Sequence, residues 1–155
     1  MFVRLALEHE EDVFVRLCVA DLEETMPGEP YDEDVLRATF RKYADTANPT
    51  IFFAEHERQV VGFVMSHVVP FDHRSGFYAT QRVLYVSPEN RGSRAAVLLM
   101  RQLIRWAEQI GAAEIAGGND NSFNSDRTAA FLAHFGFEKV GYAMVKRIGE
   151  HAHGR

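Results

Sequence analysis

The chain has 155 residues, 46% of them hydrophobic and 25% charged, the size and composition of one globular domain that buries its own core. With 17 basic and 22 acidic side chains the formal charge is −5, the wrong sign for a protein that holds nucleic acid through phosphate contacts. The single cysteine, Cys18, excludes an internal disulfide and fits a reducing, cytoplasmic setting; no apolar run approaches the roughly 20 residues that cross a bilayer, and the first residues turn acidic too early for a secretory leader. Neither nucleic acid nor membrane is an expected partner.

FVRLAL (2–7) alternates as a first strand. The acidic stretch His9 to Asp12 then opens a helix whose apolar stripe is Val13, Phe14, Leu17, Cys18 and Leu22, and MPGEP (26–30) breaks it. Asp32 is placed to cap a second helix with Leu36, Phe40 and Tyr43 on one side, ending before Asn48-Pro49. TIFFAE (50–55) and VVGFVMSHVVPF (60–71) flank a polar turn and predict a hairpin, and FYATQRVLYV (77–86) predicts a third strand in succession. Ser93 to Ile110 predicts a long helix with Ala96, Met100, Leu103, Ala107 and Ile110 on one face and Gly111 at its C-terminal stop. AEIAGG (113–118) is a short strand, 120–126 a polar loop, and DRTAAFLAHF a short helix stopped by Gly136. FEKVGYAMVKRI (137–148) predicts a last strand or hairpin arm. The expected division is a domain over 1–148 and a tail over 149–155, with no repeat or linker. The fold class is α/β (α+β), one mixed central sheet flanked by helices.

The segment VSPENRGSRAAVLL (86–99) carries the chemistry. A strand stops at a proline and hands over to a helix through a short, basic, small-residue turn. A helix start leaves backbone N–H groups without internal partners, its dipole end is positive, and glycine lets a ligand approach the backbone. Together these make an anion site suited to phosphate at the carboxyl end of a strand. On the turn alone, simple tight packing with solvated arginines is an equal reading. The chain has neither Gly-Lys-Ser/Thr nor G-x-G-x-x-G here, so the Walker loop and the dinucleotide fingerprint are excluded.

VSPENRGSRAAVLLM resembles the acetyl-CoA-binding motif of the GNAT N-acetyltransferases, a strand and V-x-P followed by Arg/Gln-x-x-Gly-x-Gly/Ala into a helix. Arg91 matches its first basic position and Ala96 its last small one. The acidic helix after a first strand, the hairpin over 50–71 and the closing FLAHFGFEKVG agree in order, so the resemblance extends from Phe2 to Ile148, and it is nearest to small bacterial and phage-encoded members. Two departures stand out. Arg94 replaces a usual glycine. Leu132 replaces the tyrosine, four residues before Gly136, that protonates the leaving thiolate in many members, and Ser125 takes the place of a common asparagine.

The resemblance implies an acyltransferase, of the kind that transfers groups other than aminoacyl groups, moving acetyl from acetyl-CoA to an amine; the amine is a small molecule or a protein, and no metal is involved. The cradle for pyrophosphate would come from the N–H groups of Gly92, Ser93, Arg94, Ala95 and Ala96 with help from Arg91. The main chain of Leu84, Tyr85 and Val86 would hold the pantetheine arm, with Leu84 N–H aimed at the thioester oxygen. Ser125 and Phe131 complete the cofactor residues that the resemblance draws in. Dimers are common in the family, so a homodimer is one assembly it allows. Leu132 supports the alternative of an acyl-CoA-binding sensor or interaction module without turnover.

An amine at neutral pH is mostly ammonium, so a base must remove its proton. By alternation Thr80, Arg82, Leu84 and Val86 share one face of their strand, and neither Thr80 nor Arg82 is a natural base. Glu55, His67, His73 and His134 have the right chemistry, and Tyr142 is a weak candidate for the missing acid; geometry must choose among them. Glu29, Asp32, Glu33 and Asp34 make an acidic loop suited to a cationic acceptor. His151 and His153 lie too near the terminus, and are too few, to make a structural zinc site. Cys18 reads as a core residue before it reads as a nucleophile.

Overall fold

The structure, a computed structural model, describes residues 1–118 and 121–149. Its sheet has the strand order β1 (Phe2–Leu5), β2 (Thr50–His56), β3 (Gln59–Pro70), β4 (Phe77–Val86) and β5 (Ile115–Ala116). The first four strands are antiparallel and β5 runs parallel to β4, pairing only at Ala79 and Thr80. Helices α1 (Glu11–Thr25) and α2 (Glu33–Tyr43) cover one face. Helices α3 (Ala95–Gln109) and α4 (Ser125–Ala133) cover the other. A sheet covered on both faces explains why Ile51 to Ala54 is an unbroken apolar run rather than an alternation.

The α1/α2 layer is aromatic: Phe14 meets Phe40 and Phe63 at 5.3 and 5.5 Å between ring centres, and Phe40 stacks on Phe53. Such rings contribute large buried areas and prefer these tilted and edge geometries. Asp32 caps α2 as expected, accepting from Asp34 N–H at 2.9 Å. At the other end of the sheet, Arg4 donates to both oxygens of Glu10 at 2.7 and 2.8 Å and to Glu55 at 2.8 Å. This network ties β1 and β2 to the entrance of α1.

Helix α3 is rotated by about one residue from its expected setting. Ala95, Leu99, Met100, Leu103, Trp106 and Ala107 are buried, while Ala96 and Ile110 are half-buried. Trp106 decides this, because its indole N–H donates to Ala47 C=O at 2.6 Å and swings its side of the helix inward. Gly111 and Gly136 end α3 and α4 with φ of +83° and +88°, the left-handed stop that glycine makes cheaply.

The expected strand over 137–148 does not form. Residues 138–148 have no helix, ladder or turn, and Val140, Tyr142 and Met144 are 98%, 98% and 92% exposed. Strand-like composition met no partner edge there. Residues 150–155, with His151 and His153, lie outside the described residues, as do Asn119 and Asp120 of the polar loop.

Gly62 lies under the end of β4. A Cβ there would sit 2.5 Å from Tyr85 O and 3.1 Å from Val86 Cα, both backbone atoms that cannot step aside. Gly62→Ala is expected to cost about 1–3 kcal/mol by forcing β3 and β4 apart. A thermal melt checks this, and an unchanged midpoint would show that the strands yield freely.

Candidate acetyl-CoA site

The site begins with a β-bulge. Met65 pairs with Val83 but Ser66 pairs with Gln81, so Arg82 is an extra residue on β4. The bulge resets the alternation. Thr80, opposite His67, faces the α1/α2 side with Val83 and Tyr85, whereas Leu84 and Val86 face the α3 side. The expectation that Thr80, Arg82, Leu84 and Val86 share one face is therefore corrected. Nothing in FYATQRVLYV marks an inserted residue, because no glycine or proline accompanies it.

Beyond the bulge, β4 parts from β5. The last link is Gly118 N–H, which donates to the Gln81 side chain at 3.2 Å. Ser87 N–H donates to Val61 C=O, which sets the phase of the ladder. Leu84 and Val86 then occupy the non-bonded positions against Val64 and Gly62, so their N–H and C=O groups point away from β3 into the opening. Val86 C=O is already engaged by Arg91 Nε at 3.0 Å. The Leu84 N–H and C=O and the Val86 N–H remain as an open strand edge. Tyr85 contributes no side chain to it; its ring is buried against Phe63 on the opposite face.

The edge leads into the turn. Pro88–Asn90 form a short 3-10 turn held by Asn90 Nδ2 on Ser87 Oγ at 3.0 Å. Gly92 follows at φ +81°, with open space where a side chain would be. Ser93 Oγ donates to Asn90 C=O at 2.5 Å and accepts from Ala95 N–H at 3.2 Å, which starts α3. Among the described residues, the N–H groups of Gly92, Arg94, Ala96 and Val97 have no hydrogen-bond partner. Four donors converge at a helix start, beside an open hollow of about 440 Å³ lined by Glu89, Asn90, Arg91, Ser93 and Arg94 with Met1 and His56.

The two arginines differ. Arg91 is engaged: its Nη2 pairs with Glu24 at 2.6 Å, an ion pair without hydrogen-bond alignment, its Nε holds Val86 C=O, and its guanidinium lies 5.8 Å from the Tyr85 ring centre. It fastens the turn to α1. Arg94 is exposed and has no ion pair among the described residues. Glu24 lies 67 positions away in sequence, so no local signal announces its pairing with Arg91. On α1, burial and then the Glu24 charge push the Asp21 carboxyl up to about 6. Burial, with a contribution from Asp21, pushes the Cys18 thiol up to about 12, which makes it an inert core group.

The remaining candidates separate clearly. Ser125 is exposed at the first turn of α4 and Phe131 is half-buried against Phe135 at 5.2 Å; neither belongs to the 84–97 edge and turn. Leu132 is 4% exposed and part of the α3-side core, so the usual acid position points into the interior. Tyr142 stands in solvent and the structure does not bring it to the turn. Glu55 is spent on Arg4, His73 packs edge-on to Phe71, and His134 is exposed at the end of α4. His67 lies beside the bulge with its Nδ1 2.7 Å from Thr80 Oγ1. Burial, then the charges of Arg82 and Lys42, lower its pKa, so the neutral ring prevails at pH 7. No group of His, Cys, Asp or Glu arranged to hold a metal occurs among the described residues, and no helix among them is long and apolar enough to cross a membrane.

Residues 17–137 match the family described as the acetyltransferase (GNAT) family. No curated protein sequence matches the chain. Solved structures resemble it at low identity. One is a transcriptional regulator from Bacillus halodurans C-125, at 17% identity and TM-score 0.78, over 94% of this chain and 98% of that one. Another is a predicted acetyltransferase with acetyl-CoA from Clostridium acetobutylicum, at 16% and 0.76, over 92% and 93%. A third is an aminoglycoside acetyltransferase from an uncultured soil metagenomic sample, in complex with sisomicin, at 17% and 0.72, over 95% of both chains. At such identities the likeness establishes the fold, and the match over 17–137 establishes more: the chain belongs to the GNAT family of acetyltransferases.

Proposed function

We propose that the chain binds acetyl-CoA along the open edge of β4 and the 92–97 turn, and passes the acetyl group to a cationic small-molecule amine. The observation that carries this reading is the continuity of the unpaired β4 edge with four unpartnered N–H groups at the start of α3. Acetyl-CoA supplies an activated acyl group. Leu84 and Val86 offer a strand edge to an amide-bearing arm. Leu84 N–H holds the carbonyl oxygen as negative charge builds on it, and such a donor contributes most where it is fixed in advance. The turn N–H groups and Arg94 take the phosphates, while Arg91 positions the turn through Glu24 and Val86. Ser125 and Phe131, on α4, remain as the outer cofactor contacts.

His67 is the best-placed base for the amine, since its neutral ring accepts a proton at pH 7. Water protonates the departing thiolate, whose pKa near 8.5 makes it a tolerable leaving group without an acid. A cationic acceptor is supported by the net charge of −5, by the carboxylates of Glu33 and Asp34, and by the aminoglycoside complex of a structural neighbour.

The test is an acceptor screen that reads free thiol as coenzyme A is released. Aminoglycosides and polyamines are expected to turn over. Tight coenzyme A binding with no amine acetylated would overturn transfer and leave a binding module. Arg94→Ala is expected to weaken coenzyme A by tenfold or more, because a charge-assisted contact contributes about 1.5–3 kcal/mol. It should also flatten the salt dependence; equal affinity in calorimetry would show that Arg94 is only tolerated.

A further inference from the structure

The hydroxyl of Thr50 has no role in the cofactor site and no partner in the core. Thr50 is fully buried, and its Oγ1 makes no hydrogen bond. Burying a hydroxyl unbonded costs free energy, so nearly all such groups in folded proteins are paired. Nearby polar groups are committed elsewhere. Ser66, its cross-strand neighbour, donates to Thr80 C=O at 2.5 Å. Thr46 Oγ1 donates to Pro49 C=O, and Ala47 C=O is taken by the Trp106 indole.

Thr50 faces the α3 side, since it lies two residues before Phe52 on β2. There it lines an open hollow of about 360 Å³ between α3 and the β1 edge of the sheet. Val3, Leu5, Phe52 and Trp106 make apolar walls, and α3 adds Gln102 and Gln109. Neither glutamine amide has a hydrogen-bond partner among the described residues. Arg4 brings the lining its one charge, and its guanidinium is spent on Glu10 and Glu55, a cluster of net charge −1. The hollow is separate from the cofactor site. Ala95 opens α3 at the 92–97 turn, and Trp106 comes about 16 Å later along the helix axis.

We propose that this hollow is a second binding site, for a neutral ligand of about one ring that carries an amide or a hydroxyl. Apolar walls with a few convergent polar groups are the usual make-up of a small-molecule site, and the volume lies in the usual range. A hydroxyl and two carboxamides, all able to donate and to accept, select polarity without charge. The net −1 around Arg4 disfavours an anion, and the lining holds no carboxylate to retain a cation. An added peptide strand fits less well, because β1 has only four residues and Leu5 C=O is already taken by Arg4 Nη1 at 3.2 Å. The assignment does not depend on the acetyl-CoA reading.

Trp106 is the single tryptophan of the chain, so its indole N–H gives one magnetic-resonance signal that reports on this hollow alone. The test titrates three probes of similar shape, benzamide, benzoate and toluene, into isotope-labelled full-length protein. Benzamide is expected to shift the indole signal and the Gln102 and Gln109 side-chain signals saturably, at millimolar concentration or below. Benzoate and toluene are expected to bind about tenfold more weakly or worse. The same shifts are expected with coenzyme A present, so a failure of cofactor binding leaves this result readable. Thr50→Val removes the hydroxyl at nearly constant shape. It is expected to weaken benzamide about tenfold and to melt no lower than the wild type, because it deletes an unpaired buried group. Thr50→Ser keeps the hydroxyl and is expected to keep the affinity. No saturable shift, toluene or benzoate binding as tightly as benzamide, or wild-type affinity in Thr50→Val would overturn the proposal. So would a Thr50→Val that melts well below Thr50→Ser, since the hydroxyl would then already be satisfied by a buried water.

Discussion

His67→Gln is expected to lower kcat/KM for an amine acceptor by about 10²–10⁴, the usual contribution of a positioned base. The expectation rests on where the bulge puts the ring. His67 lies on β3 opposite Thr80, two residues before the extra Arg82 of β4, with its Nδ1 fixed on Thr80 Oγ1 and Nε2 left to act. Burial and the nearby cations Arg82 and Lys42 disfavour the imidazolium, so the folded-state pKa falls below the ordinary 6.5. Wild-type activity should therefore rise with pH through that lowered value and reach a plateau before neutrality. In His67→Gln this acidic limb should disappear while coenzyme A affinity is kept. A retained rate with an unchanged pH profile would dismiss His67 and pass the proton to water.

Glu10→Ala is expected to destabilise the fold by about 3 kcal/mol, near the lower end of what breaking a buried ion pair costs, because Arg4 keeps its second partner Glu55. Glu10 also accepts Leu7 N–H at 2.9 Å, which adds to the loss. Arg4 holds the Glu10 carboxyl below its ordinary range, against an opposing push from burial. A depressed carboxyl pKa contributes stability that is present above the unfolded value near 4.3 and lost as pH falls through the folded value. Urea unfolding of the wild type should thus weaken below about pH 4, and Glu10→Gln should remove part of that slope. Equal stability of Glu10→Ala and wild type at pH 7 would show that the network is ornamental. The effect also reaches the cofactor site. Glu10 anchors one end of α1, and Glu24, near the other end about 20 Å along the helix, holds Arg91.

What was legible in the sequence follows from the range of each signal. Local punctuation worked: Asp32 capped α2, Gly111 and Gly136 stopped α3 and α4, and the strand, turn and helix over 84–96 formed as their residues imply. The hairpin between β2 and β3 was legible from its flanks, although its turn residues, Glu57 and Arg58, take the left-handed conformation that Asn-Gly would normally mark. Long-range facts were not legible. The Arg91–Glu24 pair and the Trp106–Ala47 bond join residues far apart in the chain. The extra residue at Arg82 carries no composition signal, yet it reverses the face of everything before it. Alternation over 137–148 described a strand correctly in composition, but pairing depends on an edge that a sequence pattern cannot see.

The central claim is that unpartnered main-chain N–H groups at the start of α3, joined to the open edge of β4, hold coenzyme A. It is tested most directly by calorimetric titration of coenzyme A into the wild type and Ala96→Pro, which removes one of those donors in the first helical turn, where proline is best tolerated. The account predicts saturable one-to-one binding by the wild type and a loss of about tenfold or more in Ala96→Pro, with folding retained in a thermal melt. No binding by the wild type, or equal binding by a folded Ala96→Pro, would contradict it.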